Sequence, residues 1–128
     1  MKKSGILHPE LNRILAETGH TDLLTICDRG FPVPMTVERL DLALVDNLPS
    51  VMDVLQAVHD EFIIDRIIVT EEMLEASPER FAAMQKACPR VGWTIIPHVR
   101  FKEICPESRA VIRTGDTTPY ANIMIVSG

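Results

Sequence analysis

Short runs of β-branched residues alternate with stretches of helical periodicity along this chain, and that alternation limits its fold more than any single motif does. The clearest run is FIIDRIIVT, from Phe62 to Thr70. β-Branched side chains are stiff at χ1 and pack well on a pleated surface, so this is the strongest strand in the sequence. Leu23 to Cys27, LDLALV from Leu40, WTIIPHV from Trp93, AVIRT from Ala110 and ANIMIVS from Ala121 read as further strands. Helices are expected between them. Pro9 to Thr18 carries Leu11, Ile14 and Leu15 at helical spacing, with Pro9 suited to the first turn and Gly19 to the C-terminal cap. Ser50 and Asp53 form a capping pair at the head of the apolar stripe Val51, Val54, Leu55 and Val58. Thr70 and Ser77 are expected to cap helical turns in EEMLEA and PERFAAMQKAC, and RFKEIC is expected as a short helix. Strands alternating with helices predict an α/β fold, a three-layer α/β/α sandwich with a central mixed sheet. A length of 128 residues with 46% hydrophobic content suits a single domain over 1–128.

Charge and composition exclude several classes of partner. The net charge is −5, and the 13 Lys and Arg residues are scattered without a basic stripe or interleaved aromatics, so nucleic acid is not an expected partner. The start, MKKSGILHPEL, offers only Ile6 and Leu7 before His8 and Pro9, far short of a signal peptide's apolar segment. No other stretch approaches the roughly 20 apolar residues of a membrane helix, so no membrane partner is expected. Cys27, Cys88 and Cys105 are widely separated and read as reduced thiols of a cytoplasmic protein. Cys27, inside an apolar strand, reads as packing rather than as a nucleophile. The 4 histidines lack zinc-site spacing and the 6 glycines are spread singly, so neither a metal nor a phosphate-bearing cofactor is expected.

The polar residues that remain sit at strand ends. His20 follows the first helix and precedes a strand; Asp28 follows that strand; His98 ends a strand and opens a helix; Tyr120 and Asn122 start the last strand. In open α/β sheets, ligands gather just outside strand ends. Two imidazoles, one or two carboxylates and several neutral hydrogen-bonding groups suit a neutral polyhydroxylated ligand, a sugar, better than an anion. Each residue also has an ordinary structural explanation. A loop histidine such as His20 is commonly a surface group, Asp28 before Arg29 and Gly30 is a common turn, and His98 serves as a modest helix cap. Tyr120 after Pro119 reads equally as packing, and His8 and His59 are expected to face solvent.

The segments LAETGHTD, CDRGFPVP, RLDLALV, LPSVMDVL and AVIRTGDTTPYANIMIVSG together resemble the D-ribose pyranase family, which is related to the fucose mutarotases. They occur in the same order over nearly the whole chain, and the pairing of Gly-His-Thr-Asp with Thr-Pro-Tyr-Ala-Asn is more specific than either piece. Fucose mutarotases resemble the chain more distantly and typically carry glycine where Thr21 stands. The resemblance implies interconversion of the pyranose and furanose forms of D-ribose without a cofactor, with His20 as proton donor. It also implies sugar binding by Asp28, His98, Tyr120, Ala121 and Asn122. A cytoplasmic, ring-shaped homo-oligomer, commonly a decamer with sites at subunit boundaries, is implied as well. Fucose mutarotase activity and a non-catalytic sugar-binding module are the alternatives. Ring opening requires a base at the anomeric hydroxyl and an acid at the ring oxygen, work suited to a group with pKa near neutrality. Asp22 or Asp28 is expected to fix the tautomer of His20, and Tyr120 and His98 are candidates for the base. Two departures from the family stand out. Arg29 replaces a small residue and is expected to bring an extra charge near the ligand, and the sequence ends at Gly128, where the family continues into a hydrophobic tail that would bear on affinity or assembly.

Overall fold

The computed structural model describes all residues from Met1 to Gly128. In chain order the elements are α1 (Pro9–Glu17), β1 (Leu23–Cys27), β2 (Glu38–Asp41), α2 (Val51–His59), β3 (Ile64–Thr70) and α3 (Glu71–Ala76). There follow α4 (Pro78–Ala87), β4 (Gly92–Ile96), α5 (His98–Ile104), a 3-10 turn at Cys105–Glu107, β5 (Ala110–Arg113) and β6 (Ile123–Ser127). The strands form one six-stranded sheet in the order β2-β5-β1-β6-β3-β4. β1, β5 and β2 pair in parallel, as do β3 and β4, while β6 runs antiparallel to both β1 and β3. The sheet is therefore mixed, and the reversed strand lies in its middle.

Alternation along the strands sorts side chains into two layers of core. Leu24 and Ile26 of β1, Ile67 and Val69 of β3, Ala110 and Ile112 of β5, and Ile123 and Ile125 of β6 share one cluster. The same cluster takes in Leu11 and Ile14 of α1, the Val51, Val54, Leu55 and Val58 stripe of α2, Met73 of α3 and Met84 of α4. The intervening residues Cys27, Ile68, Val111, Met124 and Val126 form a second cluster with Phe101 of α5, Cys105 and Phe31. Side chains of period two therefore give the sheet two apolar faces, each covered by helix. The α/β/α sandwich is the architecture adopted, with four helices on one face and only α5 and its neighbouring turn on the other.

Several local expectations need correction. LDLALV is not one strand: β2 ends at Asp41, whose carboxylate accepts the Ala43 N–H at 3.1 Å and two bonds from Arg113, a turn that ends the strand. Val45 instead bridges to Leu48. Ser77 makes no side-chain cap on α4; its hydroxyl donates to the Pro119 carbonyl at 2.8 Å. Thr70 does cap α3, and the Ser50–Asp53 capping box closes on α2. Thr18, with extended backbone, is the C-cap of α1 rather than Gly19, and His8 caps its start by accepting the Leu11 N–H at 3.3 Å.

Candidate functional site

Five strands of the sheet point the same way, and their C-terminal ends share an edge with the start of the reversed strand β6. An open cavity of about 230 Å³ lies at that edge, lined by Asp28, Gly30, Phe31, Pro32, His98, Lys102, Tyr120 and Asn122. Asp28 leaves β1, His98 is the first residue of α5 behind β4, and Asn122 immediately precedes β6. These three elements meet only because β6 reverses between β1 and β3. Asn122 is almost wholly buried and accepts the Asp28 N–H at 2.8 Å, which ties the two loops together. Ala121 is fully buried and lies behind the lining rather than in it. Tyr120 stands 39% exposed at the rim with φ of 54°, a left-handed conformation rare for a residue with a side chain. Its ring meets the His98 imidazole edge-on at 5.1 Å, and Phe31 meets the same imidazole edge-on at 6.3 Å.

The His98 imidazole is held neutral by its surroundings. Burial lowers its pKa and the Lys102 ammonium adds to the effect, against weaker opposing pulls from Glu72 and Asp28. Nδ1 is buried without a hydrogen-bond partner in the chain. The backbone N–H of His98 donates to both carboxylate oxygens of Glu72, at 3.1 and 3.0 Å, which anchors the first turn of α5 to α3. The cavity thus offers a carboxylate, a neutral imidazole, a phenol, an amide and one ammonium around apolar Phe31 and Pro32. That set can donate to and accept from several hydroxyls at once.

His20 is elsewhere. It is exposed and lines a different cavity, of about 260 Å³, with Thr18, Glu61, Phe62, Ile63, Ser127 and Gly128. That cavity lies at the opposite edge of the sheet, where β1 begins and β6 ends. Thr21, next to His20, has φ of 68° and donates its N–H to the Ser127 carbonyl. A β-branched residue in that region is strained. Within one subunit, then, Asp28, His98, Tyr120 and Asn122 are brought together and His20 is not.

Two further expectations are corrected by the geometry within one subunit. Asp22 accepts the Gly19 N–H at 2.8 Å and the Arg109 Nε at 2.9 Å, and Asp28 accepts the Gly30 N–H at 2.9 Å, so within one subunit neither carboxylate bonds to His20. The Arg29 guanidinium pairs with Asp46 at 2.7 Å and lines a separate cavity, so its charge is turned away from Asp28. The cation at the cavity of Asp28 and His98 is instead Lys102, which carries no expectation from the sequence. Its signal was present: it follows His98 by four residues on one helix, and residues at that spacing share a face. Phe31 and Pro32, inside the CDRGFPVP segment, line the same cavity. No group of three or more His, Cys, Asp and Glu side chains has the geometry to hold a metal ion, and no helix is long and apolar enough to cross a membrane.

A model of the RbsD / FucU transport protein family matches residues 1–128. The D-ribose pyranase of Geobacillus kaustophilus is 44% identical over 128 residues, which cover 100% of this chain and 94% of that protein. Among solved structures, Bacillus subtilis RbsD complexed with D-ribose aligns with a TM-score of 0.95 at 36% identity, covering 100% of this chain and 98% of that one. The fucose mutarotase of Streptococcus pneumoniae in complex with L-fucose aligns with a TM-score of 0.82 at 20% identity, covering 95% and 93% of the two chains, and shares the fold.

Proposed function

The chain belongs to the RbsD / FucU transport protein family, and from that premise we propose that it is a D-ribose pyranase, an isomerase that interconverts the pyranose and furanose forms of D-ribose. The observation that carries this reading is the convergence of Asp28, His98, Tyr120 and Asn122 on one cavity at the edge of the sheet. In ribose, a base removes the proton of the anomeric hydroxyl while an acid protonates the ring oxygen, and the bond between that oxygen and the anomeric carbon breaks. The open chain rotates, a different hydroxyl adds to the aldehyde, and the two proton transfers run in reverse. No electron changes hands. Groups positioned for such transfers typically contribute about 10² to 10⁴-fold each.

Asp28 and Asn122 hold sugar hydroxyls, His98 and Tyr120 bound the ring and stand nearest the role of base, and Ala121 supports the segment from behind. His20 is the acid. Because it lies at the far edge of its own subunit, it serves the cavity of a neighbouring subunit, which makes the working unit a homo-oligomer, in this reading a decamer with sites at subunit boundaries. The protein acts in the cytoplasm as one ribose pyranase-like domain over 1–128.

Magnetisation-exchange NMR on D-ribose tests the reading. Catalytic amounts of protein should accelerate exchange between pyranose and furanose signals. Saturable ribose binding without acceleration would reassign the protein as a sugar-binding module, and acceleration of L-fucose anomer exchange alone would reassign it as a fucose mutarotase.

A further inference from the structure

Behind the cavity, and lining no part of it, lies an ion pair whose carboxylate is fully buried: Arg80 of α4 with Asp116, on the segment between β5 and β6. Asp116 Oδ2 accepts from Arg80 Nη1 at 2.6 Å and from the Val51 N–H at 2.9 Å; Oδ1 accepts from the Thr118 N–H at 2.8 Å and from Arg80 Nη2 at 3.4 Å. Burial alone would raise this carboxyl, but the bonds from Arg80, Thr118 and Val51 outweigh it and hold the group below its ordinary value. The pair is therefore charged at neutral pH.

The contacts made by this pair reach both loops of the cavity. Arg80 Nη2 also donates to the Thr118 hydroxyl at 2.9 Å, two residues before Tyr120, and Ser77, one turn earlier, donates to the Pro119 carbonyl at 2.8 Å. On the other side, the Asp116 carbonyl accepts the Arg29 N–H at 3.1 Å, and Thr114, which accepts the Asp116 N–H, donates its hydroxyl to the Cys27 carbonyl at 2.8 Å. The residues flanking Asp28 and those leading into Tyr120 are thus fixed to one point. Tyr120 keeps a left-handed backbone at that location, which persists only where the surroundings over-determine it.

Stability does not by itself explain such a pair, since well-packed apolar replacements of buried ion pairs are often neutral or stabilising. A guanidinium supplies direction: its rigid fork addresses Asp116 and Thr118 at once, which a lysine ammonium cannot do with the same geometry. We infer that Arg80 is a positioning residue for the sugar site, holding through Asp116 and Thr118 the segment that presents Tyr120 and Asn122 in register with Asp28. The functional half of this inference rests on the ribose reading of the cavity.

The test compares the wild type with Arg80→Ala and Arg80→Lys in three measurements: ribose affinity, exchange at saturating ribose, and the ligand-free nuclear Overhauser effect between the Tyr120 and His98 rings. Arg80→Ala is expected to bind ribose about tenfold more weakly, or about 1.4 kcal/mol, and to lose the ring-to-ring effect. Arg80→Lys is expected to recover only part of the affinity, and added guanidinium ion at millimolar concentration to restore Arg80→Ala. Should Arg80→Ala fail to fold, the Ser77→Ala, Thr118→Val double variant removes the handles on the loop while leaving the buried pair intact, and several-fold weaker binding is expected. Unchanged ribose affinity and an unchanged ring contact in a folded variant of either kind would overturn the inference. A wild type that ignores ribose would instead overturn the ribose reading, with the ring contact still deciding the positioning role.

Discussion

His20 and Asn122 stand at opposite ends of one antiparallel strand pair. Leu23 of β1 faces Val126 of β6 and Ile26 faces Ile123, so Asn122 lies beside the C-terminal end of β1, whereas His20 lies beyond its N-terminal end. The five residues of β1 separate them by about 17 Å of extended chain. No side-chain rearrangement closes that gap within a subunit, so on the proposed mechanism the proton given by His20 crosses a subunit boundary.

Complementation should reveal that boundary. His20→Ala and Asp28→Ala are each expected to be inactive alone, because each damages every site in its own assembly. Unfolded together and refolded as a mixture, they should regain activity of about one quarter of the wild-type level, the random-mixing share of intact sites in a symmetric assembly. Recovery is read from ribose exchange by NMR, and a mixture as silent as its parents would mean that both residues act within one subunit or in separate processes.

His20→Ala should leave the fold alone. The side chain is exposed and joins neither apolar cluster, so the change in unfolding free energy is expected to stay within about 0.5 kcal/mol. Exchange of bound ribose should nevertheless slow by about 10² or more, the size of a lost proton donor. Denaturant melts and the NMR assay on one preparation check both halves.

The imidazole of His98 should titrate below its ordinary value of 6.5, because burial first and Lys102 second disfavour the charged ring. Such a group takes up fewer protons in the fold than in the unfolded chain, so its linkage works against stability as pH falls through 6.5 and is absent above it. Imidazole proton shifts followed by NMR should move up on Lys102→Met and further down on Glu72→Gln. Ribose affinity, which in this reading needs the neutral ring, should hold down past 6.5 and fall only at more acid pH.

Thr70→Ala removes the hydroxyl that accepts the Met73 N–H at 3.1 Å and starts α3. Loss of such a cap costs about 1 kcal/mol, read as a lower denaturant midpoint. Since Glu72 of α3 holds the His98 N–H, amide exchange at His98 should quicken in the same variant, even though residue 70 touches no part of the cavity.

Much of the architecture was legible because local chemistry and global packing agree in this chain. The β-branched run at Phe62 to Thr70 and the stripe Val51, Val54, Leu55, Val58 state their periods openly; the stripe is core throughout, and the run contributes Ile67, Ile68 and Val69. LDLALV misled because alternation continues past Asp41, where a carboxylate captures Ala43 and Arg113 and ends the strand by side-chain bonding that a pattern cannot express. Asp28, His98, Tyr120 and Asn122 were legible as candidates at strand ends, but not the partition that leaves His20 at the other edge. Strand direction decides which loops share an edge, and nothing in ANIMIVS announces that β6 runs against its neighbours. Lys102 and Arg80 were missed for a related reason. One is an ordinary exposed helix lysine until α5 is seen to border the cavity, and the other gains meaning only from a carboxylate 36 residues away.

β6 also behaves as a measuring rod. It is hydrogen-bonded on both sides and buried from end to end, so it cannot bow outward to absorb an inserted or deleted residue. A change of one residue would alter the spacing between the His20 edge and the Asn122 edge by about 3.3 Å and turn every later side chain to the wrong layer. On the proposed mechanism, the separation between the edge that would give the proton and the edge that would hold the sugar is quantised by a single central strand.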